Sequence, residues 1–244
     1  STLWRWLPAD AIRPRQHRCW IFPRDPDFEI KAGRLLDLYE RKWEGRPLRI
    51  NDFVISADEK TSIQARARIH PTLPPAPHQP MKVEHEYKRH GAWAYLAAWD
   101  VHRAKIFGRC EHKSGIAPFD RLVEQVMSQE PYRRARRVFW IVDNGSSHRG
   151  QCAIARLERR YKNLRLVHGP VHASWLNQIE IYFSIVQRKA LTPNDFPSLA
   201  TVADRLRQFE IRFEAMAQPF EWKFTRKDLA TFLEKLPSHD RLAA

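Results

Sequence analysis

The sequence predicts an α/β protein whose core is a mixed sheet of about five strands flanked by helices. Three strand-like apolar runs come first along the chain, and further strands then alternate with segments of helical periodicity. This order is typical of folds that combine antiparallel and parallel strands in one sheet. Hydrophobic residues make up 43% of the 244 residues, which is enough for a packed core and argues against general disorder.

The first 24 residues are expected to lie outside this core. Residues 1–7 have the pattern of the last turns of a helix, which Pro8 ends. They resemble the tail of a helix-turn-helix recognition helix, and a frayed N-terminal helix is the alternative. Residues 8–24 are rich in Arg and Pro, as a linker would be.

Residues 25–47 predict a connecting helix. Apolar residues recur near helical spacing, Asp25 and Asp27 suit a helix N-terminus, and Gly45 marks the C-terminal end. We expect this helix to pack on the main domain, which would comprise residues 48–244.

Short apolar runs predict the strands of the sheet. The first is expected to end at Ala57 and to be followed by a long Pro-rich loop. The predicted strands are Ile50–Ala57, Ala92–Trp99, Lys105–Cys110, Val138–Asp143 and Leu164–Val167.

The segments between and after the later strands have helical periodicity and predict helices. Ser174 is expected to cap the helix that carries Glu180. The other predicted helices are Ile116–Met127, His148–Tyr161, Leu199–Met216 and Asp228–Leu236.

The chain carries a strong positive charge. Lys and Arg number 42 against 28 Asp and Glu, which gives a formal net charge of +14. Because a charge excess concerns partners rather than fold, it indicates a polyanion partner, with simple solubility as the alternative. Arg predominates, and its planar guanidinium suits bidentate contact with phosphate.

Cysteine usage favours a reducing intracellular compartment. Cys19, Cys110 and Cys152 are far apart and form neither a zinc-binding spacing nor a disulfide framework. No apolar stretch approaches the ~20 residues that a membrane span needs, and no signal peptide is recognisable. We therefore expect a cytoplasmic protein without a membrane partner.

Two acidic residues come directly after apolar, strand-like runs. Asp58 follows the run 53–57, and Asp143 follows the run 138–142. If the two strands are adjacent and parallel, both carboxylates emerge at the sheet edge where open α/β sheets bind ligands. A single acid at a strand end is more often a turn former, so only the two acids together indicate a binding site.

Glu180 is the third acidic candidate. Between Ser174 and Phe183 the apolar residues form one helical face, while Asn177 and Glu180 lie on another. Glu180 can thus point towards the strand ends, and Asn177, one turn earlier, could hold a metal-bound water or a phosphate. A Glu on a solvated helix face is the alternative.

Other acidic and histidine residues are weaker candidates. Strand alternation should point Glu59 away from Asp58. Asp100 and Asp120 fit a hairpin turn and a helix surface better than a site. A zinc pair of His168 and His172 is disfavoured, since the two flank a Gly-Pro turn rather than share a helix face.

Converging carboxylates are typical of two-metal phosphoryl transfer. Two Mg²⁺ ions ~3.5–4 Å apart stabilise charge on both the attacking and the leaving oxygen of a phosphodiester. Mg²⁺ prefers hard oxygen ligands and retains several waters, so a few carboxylates suffice. We therefore predict such a site at Asp58, Asp143 and Glu180.

Three blocks of the sequence resemble the signature blocks of DDE transposases, in particular the mariner-like superfamily of bacterial insertion-sequence transposases. The blocks are Asp58–Lys60, Asp143–His148 and Trp175–Glu180. The 36 residues between the second and third acids are close to the family's spacing. The stretch Glu86–Gly91 also resembles a block of one bacterial branch, and the likeness as a whole extends over residues 50–190.

The resemblance implies a ribonuclease H-like fold and a metal-dependent enzyme. It implies cleavage of DNA at transposon ends and joining of the freed 3′-hydroxyl to target DNA, with two Mg²⁺ or Mn²⁺ ions per site. Asp58, Asp143 and Glu180 carry over as the metal-binding catalytic triad. Gln178 stands where many relatives have Pro, and because Gln is a good helix former we expect Glu180 to keep its role.

The resemblance also implies DNA as the partner, both transposon ends and target. Asn144 and His148 carry over as neighbours that contact DNA or shape the site. Lys88, Arg89 and His90, next to the long loop, are expected to contact DNA as well. Pairing of two ends implies a homodimer by family analogy, and no small-molecule substrate is expected.

Two other functions compete with this one. The first is a catalytically inactive DNA-binding transposase fragment or regulator, and the intact acid triad counts against it. The second is another ribonuclease H-like nuclease, such as a Holliday junction resolvase, and the blocks around Asp143 and Glu180 count against that. In a bacterial cell we expect the protein in the cytoplasm, associated with the nucleoid through DNA.

Overall fold

A five-stranded mixed sheet forms the centre of the computed structural model, which describes residues 23–145 and 150–236. A separate hairpin consists of β1 (Lys42–Trp43) and β2 (Arg46–Pro47). The sheet consists of β3 (Asp52–Arg68), β4 (Tyr87–Asp100), β5 (Lys105–Glu111), β6 (Arg137–Val142) and β7 (Leu164–His168). The order is β5-β4-β3-β6-β7, with β3 antiparallel to β4 and parallel to β6. The predicted fold class is confirmed.

Helices cover both faces of this sheet. In the described part of the chain they are α1 (Phe28–Tyr39), α2 (Ile116–Met127), α3 (Gly150–Arg160), α4 (Ile179–Lys189), α5 (Leu199–Glu214) and α6 (Arg226–Glu234). Side chains of α1, α4, α5 and α6 bury one face, and those of α2 and α3 bury the other. None of these helices combines the length and the apolar character needed to cross a bilayer.

Alternating side chains of the central strands supply two separate cores. On β3, Val54 packs on the α4 side of the sheet and Ile55 on the α2 side. On β6, Phe139 packs on the α4 side and Trp140 on the α2 side. Because side chains alternate along a strand, Asp58, four residues after Val54, lies on the α4 side.

The predicted connecting helix is shorter than expected. It ends at Tyr39 rather than near Gly45, and residues 42–47 turn back as the β1–β2 hairpin. The backbone φ is positive at Arg41 (58°) and Glu44 (50°), which a right-handed helix cannot accommodate. The buried leucines of α1 nevertheless pack into the larger core, so this helix does lie against the main domain.

The first strand of the sheet is much longer than predicted. It continues beyond Ala57 to Arg68, because β4 pairs with it along most of its length. For the same reason β4 begins at Tyr87 rather than at Ala92. The Pro-rich segment between the two strands is a loop, as predicted. Two isolated antiparallel bridges, Leu73 to Lys82 and Ala76 to Gln79, connect its two sides.

Several predictions fall on residues that the structure does not describe. These are the helical turns at residues 1–7, most of the linker at residues 8–24, Cys19 and the first residues of the helix predicted to start at His148.

Candidate functional site

Asp58 lies on β3, and Asp143 is the residue that directly follows β6, the parallel neighbour of β3. The last parallel pair of β3 and β6 joins Ser56 to Ile141, and two residues further the same register brings Asp58 beside Asp143. Asp58 therefore lies inside a strand and not at its end as predicted, since β4 carries β3 onward. It does lie where the parallel pairing ends, so the predicted adjacency of the two acids is present.

Electrostatic coupling brings Glu180 into the same group. Burial raises the pKa of Asp58 to about 8, and the charges of Asp143, Glu59 and Glu180 contribute to the rise. Burial also raises the pKa of Glu180, where the positive charge of Lys60 opposes the rise and Asp143 adds to it. Like charges raise one another's pKa in this way only at short range. The three predicted acids thus lie close enough for the charge of each to influence the ionisation of another.

The three carboxylates do not form a complete metal cage. Among the described residues, no three His, Cys, Asp or Glu side chains are arranged to hold a metal ion by themselves. The donors are nevertheless all hard carboxylate oxygens. Mg²⁺ is usually held by one or two carboxylates together with waters and substrate phosphates, so this open set fits such an ion.

The helix that carries Glu180 begins later than predicted. The sequence indicated one helix starting at Ser174, but a 3-10 turn covers Ser174–Leu176 and α4 starts only at Ile179. Between them Asn177 has an extended backbone, with φ −88° and ψ 115°. Glu180 is therefore in the first turn of its helix, and its neighbours on the apolar face are buried as expected.

Asn177 supports the site from inside the protein. It is only 4% exposed, its amide donates to the carbonyl of Ala57 (3.1 Å), and its oxygen accepts from the hydroxyl of Ser56. Since both ends of the side chain are engaged, the geometry favours a site-shaping role over contact with a metal-bound water or a phosphate.

Ser56 connects the two elements that carry acids. Its hydroxyl oxygen accepts from the backbone N–H of Ile179 at 3.0 Å. Ser56 precedes Asp58 by two residues on the same face of β3, and Ile179 directly precedes Glu180 on α4. One buried hydroxyl therefore sets the position of the Glu180 helix relative to the Asp58 strand. No local pattern singles out Ser56 in the sequence, although the period of two along a strand places it on the same face as Asp58.

Tyr39 closes the same network from α1. Its hydroxyl donates to the carbonyl of Leu176 (2.7 Å) and accepts from the N–H of Gln178 (3.3 Å). Burial raises the pKa of this phenol above its usual value, so the hydroxyl keeps its proton and can donate. No sequence pattern indicated this contact, because it joins residues 137 positions apart.

Asn144 shapes the loop next to Asp143. Its amide donates to the carbonyl of Gly169 (2.8 Å), which joins the end of β6 to the turn after β7. The Asp143 carboxylate accepts from the N–H of Gly145 (2.7 Å). His148, the other predicted neighbour, lies outside the described residues.

The predicted basic contacts lie far from the acids. Lys88, Arg89 and His90 are exposed on the outer half of β4. Arg89 pairs with Arg66, which is eight residues beyond Asp58, so at ~3.3 Å per residue the separation is about 26 Å. Any DNA contact there would be distant from the carboxylates.

Asp100 and Asp120, the weaker candidates among the acids, have structural partners. Asp100 is buried and accepts from the hydroxyl of Tyr132 (2.8 Å). Asp120 forms an ion pair with Arg156 (3.1 Å) on the helical surface.

The DDE superfamily endonuclease family matches residues 54–203 of the chain. This range covers more than half of the sequence and includes Asp58, Asp143 and Glu180. No curated protein is significantly similar to the chain in sequence.

Solved structures of mariner transposases have a similar fold. The Mos1 mariner paired end complex with Mg gives a TM-score of 0.59 at 16% identity, covering 98% of this chain and 71% of that one. The corresponding complex with Mn gives 0.58 at 15%, covering 96% and 67%. The catalytic domain of Mos1 mariner transposase gives 0.51 at 14%, covering 93% and 96%. The likeness shows the fold, and it confirms the predicted ribonuclease H-like architecture.

Proposed function

Because the chain belongs to the DDE superfamily of endonucleases, we propose that it is a transposase that cleaves DNA at transposon ends and joins the freed 3′-hydroxyl to target DNA. The observation that carries this proposal is the grouping of Asp58, Asp143 and Glu180 where the parallel strands part. Structures of Mos1 as a paired end complex and as a strand transfer complex support both steps by analogy.

Asp58, Asp143 and Glu180 are proposed as the catalytic residues and as the ligands of two Mg²⁺ or Mn²⁺ ions. Mos1 complexes are described with Mg and with Mn, and the hard oxygen donors of this chain suit either ion. When bound, such ions stabilise charge on the attacking and leaving oxygens of the phosphodiester.

The charges and hydrogen bonds around the three acids suit this proposed role. With a pKa of about 8, Asp58 holds its proton at neutral pH unless a nearby positive charge favours the carboxylate form. Lys60, close to Glu180, places a positive charge where a phosphate would approach. Ser56 and Asn177 fix the helix that presents Glu180, so the acids do not need to reorganise during the reaction.

DNA is the proposed partner, and pairing of two transposon ends would make the active form a homodimer. The net charge of +14 supports a polyanionic partner. Asn144 and His148 are proposed to contact DNA or shape the site near Asp143. Lys88 and Arg89, together with His90, are proposed to contact DNA at a distance from the acids.

Cleavage should depend on a divalent metal. With supercoiled plasmid DNA and Mn²⁺ or Mg²⁺, we expect the chain to produce open circles, and an excess of EDTA should stop the reaction. The conversion is followed by gel electrophoresis. If a folded sample cleaves neither plasmid nor duplexes bearing the element's ends with any divalent metal, a DNA-binding protein without catalysis becomes the better account.

A further inference from the structure

A cleft with four arginines lies at the end of the sheet opposite the candidate active site. It has a volume of about 380 Å³ and is lined by Trp43, Glu44, Arg46, Pro47, Arg49, Arg136 and Arg137. Strands β3 and β6 both begin at this cleft, six residues before Asp58 and Asp143 respectively. At ~3.3 Å per residue the cleft is about 20 Å from Asp58.

A buried carboxylate holds the inner part of this arginine cleft in place. Asp52 is 1% exposed and pairs with both Nε and Nη2 of Arg136, the first at 2.9 Å. The Nε of Arg137 lies 3.6 Å from the same carboxylate. Asp52 also accepts from the backbone N–H of Arg49 (2.9 Å), which ties the loop before β3 to the cleft. The arginines are therefore arranged by the fold rather than scattered on the surface.

The outer part of the arginine cleft is accessible and positively charged. Arg46 and Arg49 are exposed at its rim. The ring of Trp43 packs on Phe139 with 4.8 Å between centroids, which anchors the hairpin that carries Arg46. Glu44 is the acid in the lining, so even with Asp52 counted the arginines are in excess.

We propose that the arginine cleft binds the phosphodiester backbone of duplex DNA at a distance from the scissile phosphate. Guanidinium groups match the geometry of phosphate oxygens, and two of the four are already oriented by Asp52. About 20 Å of sheet, covered by helices on both faces, separates the cleft from Asp58, so the cleft would contact DNA away from the scissile phosphate. The choice of DNA over another polyanion rests on the proposed function.

Binding of the full chain to a short labelled duplex of arbitrary sequence tests this cleft. Fluorescence anisotropy in EDTA, at several salt concentrations, separates binding from cleavage. The double variant Arg46→Ala/Arg49→Ala should weaken binding roughly tenfold or more and flatten the log K against log[salt] slope by about 1.8, since each phosphate contact contributes about 0.9. A control variant, Arg207→Ala/Arg212→Ala on α5, removes the same charge and should leave the slope near that of the parent.

Two outcomes would contradict the proposal. A cleft variant that binds like the parent, or a control variant that loses as much affinity and slope, would overturn the proposal. The variant Arg46→Lys/Arg49→Lys keeps the charge and should therefore keep most of the salt slope, which separates lost phosphate contacts from a folding defect. Because the binding assay needs no catalysis, absent nicking would count against the proposed function and leave the cleft result unaffected.

Discussion

The substitution Asp143→Asn should reduce metal-dependent nicking at least about a hundredfold while leaving the fold intact. It preserves the shape of the side chain but removes one of the three grouped acidic side chains, and with it a proposed metal ligand. A metal ion contributes several kcal/mol of charge stabilisation in such reactions, and each ~1.4 kcal/mol is a factor of ten in rate. The initial rate of plasmid nicking, measured with saturating Mn²⁺, gives the effect.

A matched acid elsewhere provides the control for this substitution. Asp120 pairs with Arg156 on the surface of α2, and surface ion pairs of this kind contribute about 0–1 kcal/mol. Asp120→Asn should therefore nick DNA at nearly the parental rate. Parental activity in Asp143→Asn would remove Asp143 from the mechanism. Duplex binding in EDTA should be at least as tight for Asp143→Asn as for the parent, since a negative charge has been lost.

The second large effect is expected from Asn177→Ala. The change removes the buried acceptor of the Ser56 hydroxyl proton and a donor to the Ala57 carbonyl, at a cost of about 1–3 kcal/mol in the free energy of unfolding. It also releases the segment that places Glu180. A displacement of about 1 Å in a catalytic group costs up to roughly a hundredfold, so nicking at saturating DNA should fall about ten- to a hundredfold.

Asn163→Ala separates positioning from stability. The Asn163 amide also donates to two backbone carbonyls, those of Tyr132 (2.9 Å) and Ala135 (3.1 Å), but just before β7, at the end of the sheet away from the acids. Both variants should unfold more easily in urea. Only Asn177→Ala should show a reduced rate at saturating DNA with little change in apparent affinity. Equal nicking rates for the two variants would show that Asn177 has no special role in placing Glu180.

The sequence was sufficient to predict the sheet and its acids because those signals are local. Apolar runs of strand length precede Asp58 and Asp143, and helical periodicity surrounds Glu180. Whether the two strands are neighbours and parallel could only be assumed from sequence, and the structure shows that they are. The fold class followed from the order of these elements along the chain.

Features that depend on distant partners could not be predicted in the same way. The extension of β3 to Arg68 is due to pairing with β4, which no local pattern encodes. The late start of α4 follows from the contacts of Asn177 with β3, about 120 residues earlier. The contact of Tyr39 with the residues before α4 belongs to the same class. Local propensity favoured a continuous helix, and tertiary hydrogen bonds determined otherwise.

The most direct test of the central claim is anomalous diffraction from a crystal of the chain grown with Mn²⁺. We predict manganese peaks between the carboxylates of Asp58, Asp143 and Glu180, with occupancy lost in Asp143→Asn. Well-ordered carboxylates without manganese between them, or manganese bound only elsewhere, would contradict the account.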